Sequence, residues 1–261
     1  MSEEGLDRLP PPARRFGTVA ELYDRSRPAY PQALVDDLLA AQPRDILDVG
    51  CGTAKAGRLF VGPGRRVVGV EPDPLMAEVA RRYGIEVEIA EFEHWDACDR
   101  SFDLLVSGTA WHWVDAFAGA AKAADVLRPG GRFAAFWNEM IYSEPVRAVF
   151  TEVYERHAPE LLRTSYVLGV VDPIDSESDV SGRGLVAAGF ADVVPGQRKQ
   201  YDWTLEYRAA EWADLVATHS DHRALDPGRL NRLLTDLIRA LEPLGPFTVQ
   251  CRTDVLSATR E

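Results

Sequence analysis

The sequence lacks the marks of a membrane, secreted or disulfide-stapled protein. It contains no apolar run of about 18 residues, and its first residues hold no apolar signal core, so neither a membrane span nor secretion is indicated. Its 3 cysteines include no C-x-x-C pair and suggest neither a disulfide framework nor a zinc site. We therefore expect a cytoplasmic protein without a bound metal or a membrane partner.

Positive charge is also scarce. The chain has 29 lysine and arginine residues against 41 aspartate and glutamate residues, which gives a formal net charge of −12. Nonspecific nucleic-acid binding depends on basic surface that displaces counterions, so a nucleic-acid partner is not expected. With 261 residues, 46% of them hydrophobic, the chain is long enough for one domain with an elaborated cap.

Two phosphate-binding glycine patterns are missing as well. The dinucleotide pattern G-x-G-x-x-G begins at Gly50 and Gly52, but Lys55 stands at its last position. The P-loop pattern fails because Gly57 is followed by Arg58. These departures disfavour a phosphate-bearing cofactor. An oxidoreductase or epimerase with a nucleotide cofactor is therefore kept as an alternative function and is not the favoured one.

What is present is a strand and glycine turn flanked by two acidic residues. Residues 45–53 (Asp-Ile-Leu-Asp-Val-Gly-Cys-Gly-Thr) predict a buried strand, a sharp turn and a helix start, and Glu71 closes the next apolar run. A carboxylate at Glu71 can accept hydrogen bonds from ribose hydroxyls, whereas Asp48 at the mouth of the turn repels phosphate and suits a cation. S-adenosyl-L-methionine, with a sulfonium, an ammonium and a ribose but no phosphate, matches this pattern.

The sequence resembles the class I S-adenosylmethionine-dependent methyltransferases, and specifically their small-molecule branch. The resemblance extends from Phe16 to Arg260 and departs from the family at Ala54, where many members have a third glycine. It is carried by segments that follow one another in the family's order, namely residues 45–53, 67–73, 90–93, 101–107, 110–115 and 126–133.

The resemblance implies the residues of a cofactor site. Tyr23 and Arg27 are similar to an N-terminal segment that closes over the methionine end, where the arginine can pair with the cofactor carboxylate. His112, between two tryptophans, is the candidate catalytic residue; it either acts as a general base or makes one structural hydrogen bond. The predicted cofactor-binding residues are Asp48, Gly50, Cys51, Gly52, Thr53, Glu71, Pro72, Met76, Glu91, Phe92, Ser107, Trp111, Tyr23 and Arg27.

Strand and helix patterns alternate along the chain, which predicts an α/β fold with a doubly wound, mostly parallel sheet. The resemblance implies a Rossmann-like fold of seven strands in the order 3-2-1-4-5-7-6, with the final strand antiparallel and an α-helical lid. We divide the chain into a mobile tail (1–15), a cofactor-binding core with N-terminal helices (16–138), and lid insertions with the last two strands (139–261).

The boundaries of the elements follow from apolar periodicity and from capping residues. Thr18 and Glu21 have the spacing of a capping box, so a short helix is expected to begin there. Strands are predicted near 44–49, 66–71, 86–90, 102–107, 132–137, 192–204 and 247–257, and helices near 31–41, 53–60, 73–83, 115–127, 143–158, 182–189, 208–218 and 227–242.

The predicted activity is the in-line transfer of a methyl group to a small organic acceptor, with S-adenosyl-L-homocysteine as the product. An acceptor carboxylate or hydroxyl is favoured. A noncatalytic S-adenosylmethionine-binding protein is a further alternative. A nucleic-acid methyltransferase is disfavoured, because residues 107–110 (Ser-Gly-Thr-Ala) stand where amino-methylating nucleic-acid enzymes have Asp/Asn-Pro-Pro-aromatic. The expected partner is a small-molecule substrate, and the chain is a monomer or a homodimer.

Overall fold

The computed structural model describes residues 16–169 and 179–261. The tail predicted over 1–15, and nearly all of the acidic loop that leads to residue 179, lie outside the described residues.

A single eight-stranded sheet forms the centre of the described molecule. Its order is β3-β2-β1-β4-β5-β8-β6, and β7 also pairs with β8. Strands β1 to β5 are mutually parallel, whereas β8 is antiparallel to β5. The strands are β1 (Asp45–Val49), β2 (Arg66–Val70), β3 (Glu86–Glu88), β4 (Phe102–Gly108), β5 (Leu127–Ile141), β6 (Phe190–Ala191), β7 (Lys199–Tyr207) and β8 (Phe247–Arg260).

This topology confirms the doubly wound α/β fold, with one more strand than expected. The edge position beyond β8 is shared by two strands: β6 pairs with residues 259–260, and β7 pairs with residues 247–255. The boundary proposed at residue 138 falls inside β5, which continues to Ile141 opposite Gln250 of β8. The division of the chain into core and lid segments stays a prediction.

Helices cover both faces of the sheet, which explains why its central strands are almost wholly apolar. Residues 46–49 of β1 and 67–70 of β2 are all buried, as expected for parallel strands with helices on either side. The helices are α1 (Ala20–Ser26), α2 (Gln32–Leu39), α3 (Pro74–Arg81), α4 (Ala116–Val126), α5 (Glu144–His157), α6 (Val180–Ala187), α7 (Ala209–Val216), α8 (Ser220–Arg223) and α9 (Pro227–Leu241).

Two local predictions were wrong. The α-helix expected over 53–60 is replaced by turns and a short 3-10 helix, Gly57–Phe60, because the backbone at Gly52 and Ala54 has positive φ of 54° and 64° and an α-helix requires negative φ. The capping box at Thr18 does not form. α1 begins later, with Val19 at its N-cap position, and the Thr18 hydroxyl accepts a hydrogen bond from Arg223 instead.

The second half of the chain builds a helical layer with its own apolar core. Helices α5, α7 and α9 pack together, and the rings of Phe150 and Trp212 stack with centroids 4.2 Å apart. On α9, Leu233, Leu237 and Leu241 are fully buried, which confirms that its apolar stripe is core. In the part of the chain that the structure describes, no helix combines the length and the apolar character needed to cross a membrane.

We expect Leu237→Ala to destabilise the protein by about 2–4 kcal/mol, because the side chain is fully buried and its removal leaves a cavity. Leu234, one turn away on the partly buried side of the same helix, is the matched control and should cost about 1 kcal/mol when replaced by alanine. Urea unfolding measures both. Equal costs for the two variants would show that α9 does not bury the stripe as described.

Candidate functional site

The predicted site residues converge at the carboxyl edge of the parallel strands. Asp48 lies near the end of β1, Glu71 follows β2, and Ser107 lies near the end of β4. All three are buried. The edge of a doubly wound sheet where strand order reverses is the usual ligand site of such folds, and here the reversal falls between β1 and β4.

A tight turn after β1 forms the floor of the site. Gly50 has φ of +63°, and a Cβ there would come within 2.6 Å of the Ala110 Cβ. A Cβ at Gly57 would likewise lie 2.6 Å from Asp48 Oδ2. Glycine is therefore required at both positions, for conformation at the first and for close approach at the second. Ala54 also takes positive φ, so it occupies the third-glycine position with some backbone strain.

Asp48 is a buried carboxyl held by the backbone of this turn. Its Oδ2 accepts a hydrogen bond from the Gly57 amide at 2.8 Å, while its Oδ1 is buried without a partner. Burial raises the pKa of Asp48 to about 7, although the Gly57 hydrogen bond opposes the shift. The group is therefore poised to ionise beside a cation.

Glu71 holds the opposite side of the turn. Its Oε2 accepts from the Gly52 amide at 2.8 Å and its Oε1 from the Asp73 amide at 2.9 Å. Burial raises the pKa of Glu71 to about 7 as well. Each carboxylate oxygen can accept more than one hydrogen bond, so Glu71 keeps acceptor capacity for a pair of hydroxyls.

Two buried polar atoms beside the turn have no hydrogen-bond partner among the described residues: Asp48 Oδ1 and Thr53 Oγ1. Buried polar atoms are nearly always satisfied in native proteins. Orphans on both sides of a glycine turn fit a ligand with polar groups there. These mostly accepting oxygens therefore fit a nucleoside that carries a cationic end, as the sequence analysis expects.

The N-terminal segment lies against this edge of the sheet. The Gly17 amide donates to Asp73 Oδ2 at 2.8 Å, and Tyr30 shares a 2.9 Å hydrogen bond with Thr109 after β4. The guanidinium of the half-buried Arg27 stacks on Tyr23 at 4.9 Å and donates through Nε to Thr218 Oγ1 at 2.8 Å. Arg27 thus connects the segment to the loop between α7 and α8, and its pairing with a cofactor carboxylate stays a prediction.

His112 stands just beyond the carboxyl end of β4, in the short 3-10 helix Trp111–Trp113. Its Nδ1 accepts a hydrogen bond from the indole Nε1 of Trp137, on the neighbouring β5, at 3.1 Å. The residue is exposed, but its imidazole is partly desolvated, which lowers the pKa of His112. The ring is therefore neutral at physiological pH, and its function as a base stays a prediction.

The remaining predicted cofactor residues divide between the turn and the core. Met76 and Cys51 are buried at the glycine turn. Met76 Cε lies 3.4 Å from the position that a Cβ on Gly52 would take. Phe92 and Trp111 pack in the apolar core, with centroids 5.9 Å apart. The Ser107 hydroxyl donates to the Val49 carbonyl and so ties β4 to β1. Pro72 is half-buried, and Glu91 is exposed and lies near His94.

Three residues that support the site were not predicted from the sequence. Asp73 caps α3 and also accepts from the Gly17 amide; the Asp-Pro pair at 73–74 is a helix-start signal that indicates only the first of these contacts. Tyr30 hydrogen-bonds to Thr109, which is 79 residues away in the sequence, and Trp137 to His112, which is 25 residues away. No local pattern in the sequence indicates such contacts.

The fold and this edge define a Rossmann-like α/β protein whose candidate ligand site has two buried carboxyls, Asp48 and Glu71. A 3-10 helix, rather than an α-helix, follows its glycine turn. A family model described as a methyltransferase domain matches residues 46–131. Uncharacterized methyltransferases of Mycobacterium bovis and Mycobacterium tuberculosis are 32% identical over 233 residues, which cover 88% of this chain and 86% of theirs. The chain belongs to the class I S-adenosylmethionine-dependent methyltransferases.

Solved structures share the fold. A protein of Anaeromyxobacter dehalogenans assigned to the type II methyltransferases has a TM-score of 0.61 and 22% identity, over 89% of this chain and 97% of that one. A phosphoethanolamine N-methyltransferase of Haemonchus contortus in complex with S-adenosylhomocysteine has a TM-score of 0.51 and 15% identity, over 95% of this chain and 60% of that one. At these identities the likeness extends to the fold alone.

We expect Gly50→Ala to cost more stability than Gly130→Ala. Both glycines have positive φ, but a Cβ at Gly130 meets nothing within 4 Å, whereas one at Gly50 overlaps Ala110. Gly130→Ala should cost about 1–2 kcal/mol from backbone strain, and Gly50→Ala about 1–3 kcal/mol more from overpacking. Thermal or urea unfolding measures the difference. Equal costs would mean that Ala110 moves aside freely.

We expect Asp48→Asn to stabilise the ligand-free protein at pH 8 by about 1–3 kcal/mol. The folded-state pKa of Asp48 is raised from 3.8 to about 7. The native state therefore keeps a proton that the unfolded chain releases, and stability falls as pH rises between about 4 and 7. The gain should vanish near pH 4.

Asp103→Asn is the control of opposite sign, because hydrogen bonds from the amides of Arg44 and Asp45 and from Arg128 lower the pKa of Asp103. Its stabilising contribution is present at high pH, so the variant should be less stable than wild type at pH 8. Urea unfolding at pH 4, 6 and 8 measures both variants. If Asp48→Asn is less stable than wild type at pH 8, then burial does not penalise the ionised form of Asp48 as described.

Proposed function

We propose that this chain binds S-adenosyl-L-methionine at the turn between β1 and 3-10 helix Gly57–Phe60 and transfers its methyl group to a small organic acceptor through a carboxylate or hydroxyl oxygen. The observation that carries the proposal is the pair of buried carboxyls, Asp48 and Glu71, on either side of a turn with unpartnered polar atoms. The family membership supports the choice of cofactor.

The charge of the site favours this cofactor over a dinucleotide. Two carboxyls that ionise near neutral pH attract a cationic ligand and repel a diphosphate. A dinucleotide also places its diphosphate at a helix N-terminus after the glycine turn, and here that position is a 3-10 helix of 4 residues. The oxidoreductase alternative therefore lacks both the charge and the backbone donors that it requires.

The proposed roles follow from position. Glu71 accepts hydrogen bonds from the ribose hydroxyls, while Asp48 and Thr53 face the cationic, polar end of the ligand through the atoms that are now unpartnered. The cofactor, when bound, supplies a methyl group on a sulfonium that already has a neutral leaving group. The protein has mainly to align the reacting atoms and exclude water. The N-terminal segment over the edge of the sheet supports such enclosure.

The site for the acceptor is proposed where the N-terminal segment, the end of β5 and the lid meet. Arg27 and Thr218 join the first of these to the last, and His112 and Trp137 lie at the strand ends between them. These groups offer donors that suit an oxygen nucleophile. The small acceptor is supported by the contacts that bring these elements of one chain together near the strand ends.

Calorimetric titration with S-adenosyl-L-homocysteine tests the cofactor assignment. We expect binding at micromolar to high-micromolar ligand and a loss of about 10–100-fold in affinity for Glu71→Gln, since hydrogen bonds to a charged acceptor contribute about 1.5–3 kcal/mol. Glu86→Ala, an exposed carboxylate on β3 paired with Arg66, is the control and should bind as wild type does. If S-adenosyl-L-homocysteine gives no binding signal, the proposal is refuted, and binding of NADH instead would favour the oxidoreductase alternative.

A further inference from the structure

The contact between His112 and Trp137 fixes where the imidazole carries its proton. Register between β4 and β5 places Gly108 beside Phe136, so the loop after β4 runs next to Trp137. The Thr109 amide donates to the Phe136 carbonyl at 2.7 Å and holds this loop against β5. The Trp137 indole then reaches His112 Nδ1 at 3.1 Å.

An indole N–H can only donate a hydrogen bond. Nδ1 of His112 must therefore present its lone pair to Trp137, and the single proton of the neutral ring must reside on Nε2. A proton on Nδ1 would face the indole hydrogen and break the contact. The pair thus selects one tautomer and also disfavours the imidazolium, whose Nδ1–H could not accept from the indole.

This tautomer changes what His112 can do for the reaction. A general base must offer a lone pair to the proton that it removes. In His112 the lone pair at Nδ1 is already used by Trp137, and Nε2 carries a hydrogen. The ring can therefore donate a hydrogen bond to a substrate oxygen, but it cannot accept a proton from a hydroxyl without losing the Trp137 contact.

We propose that Trp137 is a positioning residue that holds His112 as an Nε2–H donor, and that the acceptor is therefore a carboxylate rather than an alcohol. This inference rests on the proposed methyl transfer. A carboxylate oxygen is already a nucleophile at neutral pH. It forms the new bond to the methyl carbon while the carbon–sulfur bond breaks and its electron pair stays on sulfur, so no proton has to move.

Nitrogen-15 NMR of the labelled, full-length protein with S-adenosyl-L-homocysteine tests the tautomer directly. Comparison with His112→Gln assigns the signals of His112 among the 5 histidines. We expect an unprotonated Nδ1 and a protonated Nε2 at pH 7 in the wild-type protein, and the His112→Gln variant serves only to assign the signals. A protonated Nδ1, or an imidazolium at pH 7, would overturn the proposal.

Trp137→Phe should release the ring into a mixture of both tautomers. Trp203→Phe is the matched control, since its indole also donates from the same sheet, but to the hydroxyl of Thr253 at 2.9 Å. This control should leave the His112 signals unchanged. A Trp137→Phe protein that folds and keeps the wild-type tautomer would show that Trp137 does not set it.

Transfer of labelled methyl from S-adenosyl-L-methionine to short aliphatic carboxylic acids and to the matching primary alcohols tests the acceptor class. We expect labelled esters from acids. His112→Gln, which keeps an N–H donor, should retain at least tenfold more kcat/KM than His112→Ala, mainly through KM. Methylation of the alcohols with equal loss in both variants would identify a base and refute the inference. Failure of the proposed function itself would appear separately, as a lack of S-adenosyl-L-homocysteine binding in calorimetry. The NMR result decides the tautomer in either case.

Discussion

The burial of two carboxyls at one edge of the sheet is the constraint on which the rest of the site depends. Within the described residues neither Asp48 nor Glu71 is ion-paired with lysine or arginine; both are held by backbone amides of the glycine turn and its flank. Such an arrangement is costly without a ligand, because desolvation penalises the charged forms. Under the proposed function, a cationic nucleoside would recover that cost.

The same constraint explains why the turn departs from the dinucleotide-binding pattern. Asp48 accepts a hydrogen bond from the Gly57 amide. At the N-terminus of an α-helix, such an amide would be free to bind a phosphate. Positive φ at Gly50, Gly52 and Ala54 keeps the chain out of an α-helix through the turn, and a short 3-10 helix follows. The backbone donors of this segment thus serve an internal carboxylate, and the positive end of a helix dipole is absent from the place where a diphosphate would need it.

Enclosure of the site depends on contacts between distant parts of the chain. The N-terminal segment is attached to the core through Asp73 and Thr109 and to the lid through Thr218. The lid has its own apolar core, in which Trp212 and Phe150 stack. That apolar core also includes residues of β5 and β8, so the helical layer is packed directly on the sheet. Such packing would suit the proposed reaction, in which alignment and the exclusion of water supply most of the acceleration.

The sequence by itself determined the order of strands and helices, the glycine turn and its two acidic residues, because apolar periodicity and turn chemistry are local properties. It did not determine the 3-10 helix after the turn, the split edge strand or the unused capping box at Thr18. Tertiary structure decided these, and also the partners of His112 and Arg27, which lie 25 and 191 residues away. A hydrogen bond between distant residues depends on how strands and layers pack, and a tautomer depends on that bond. No spacing within one segment encodes either of them.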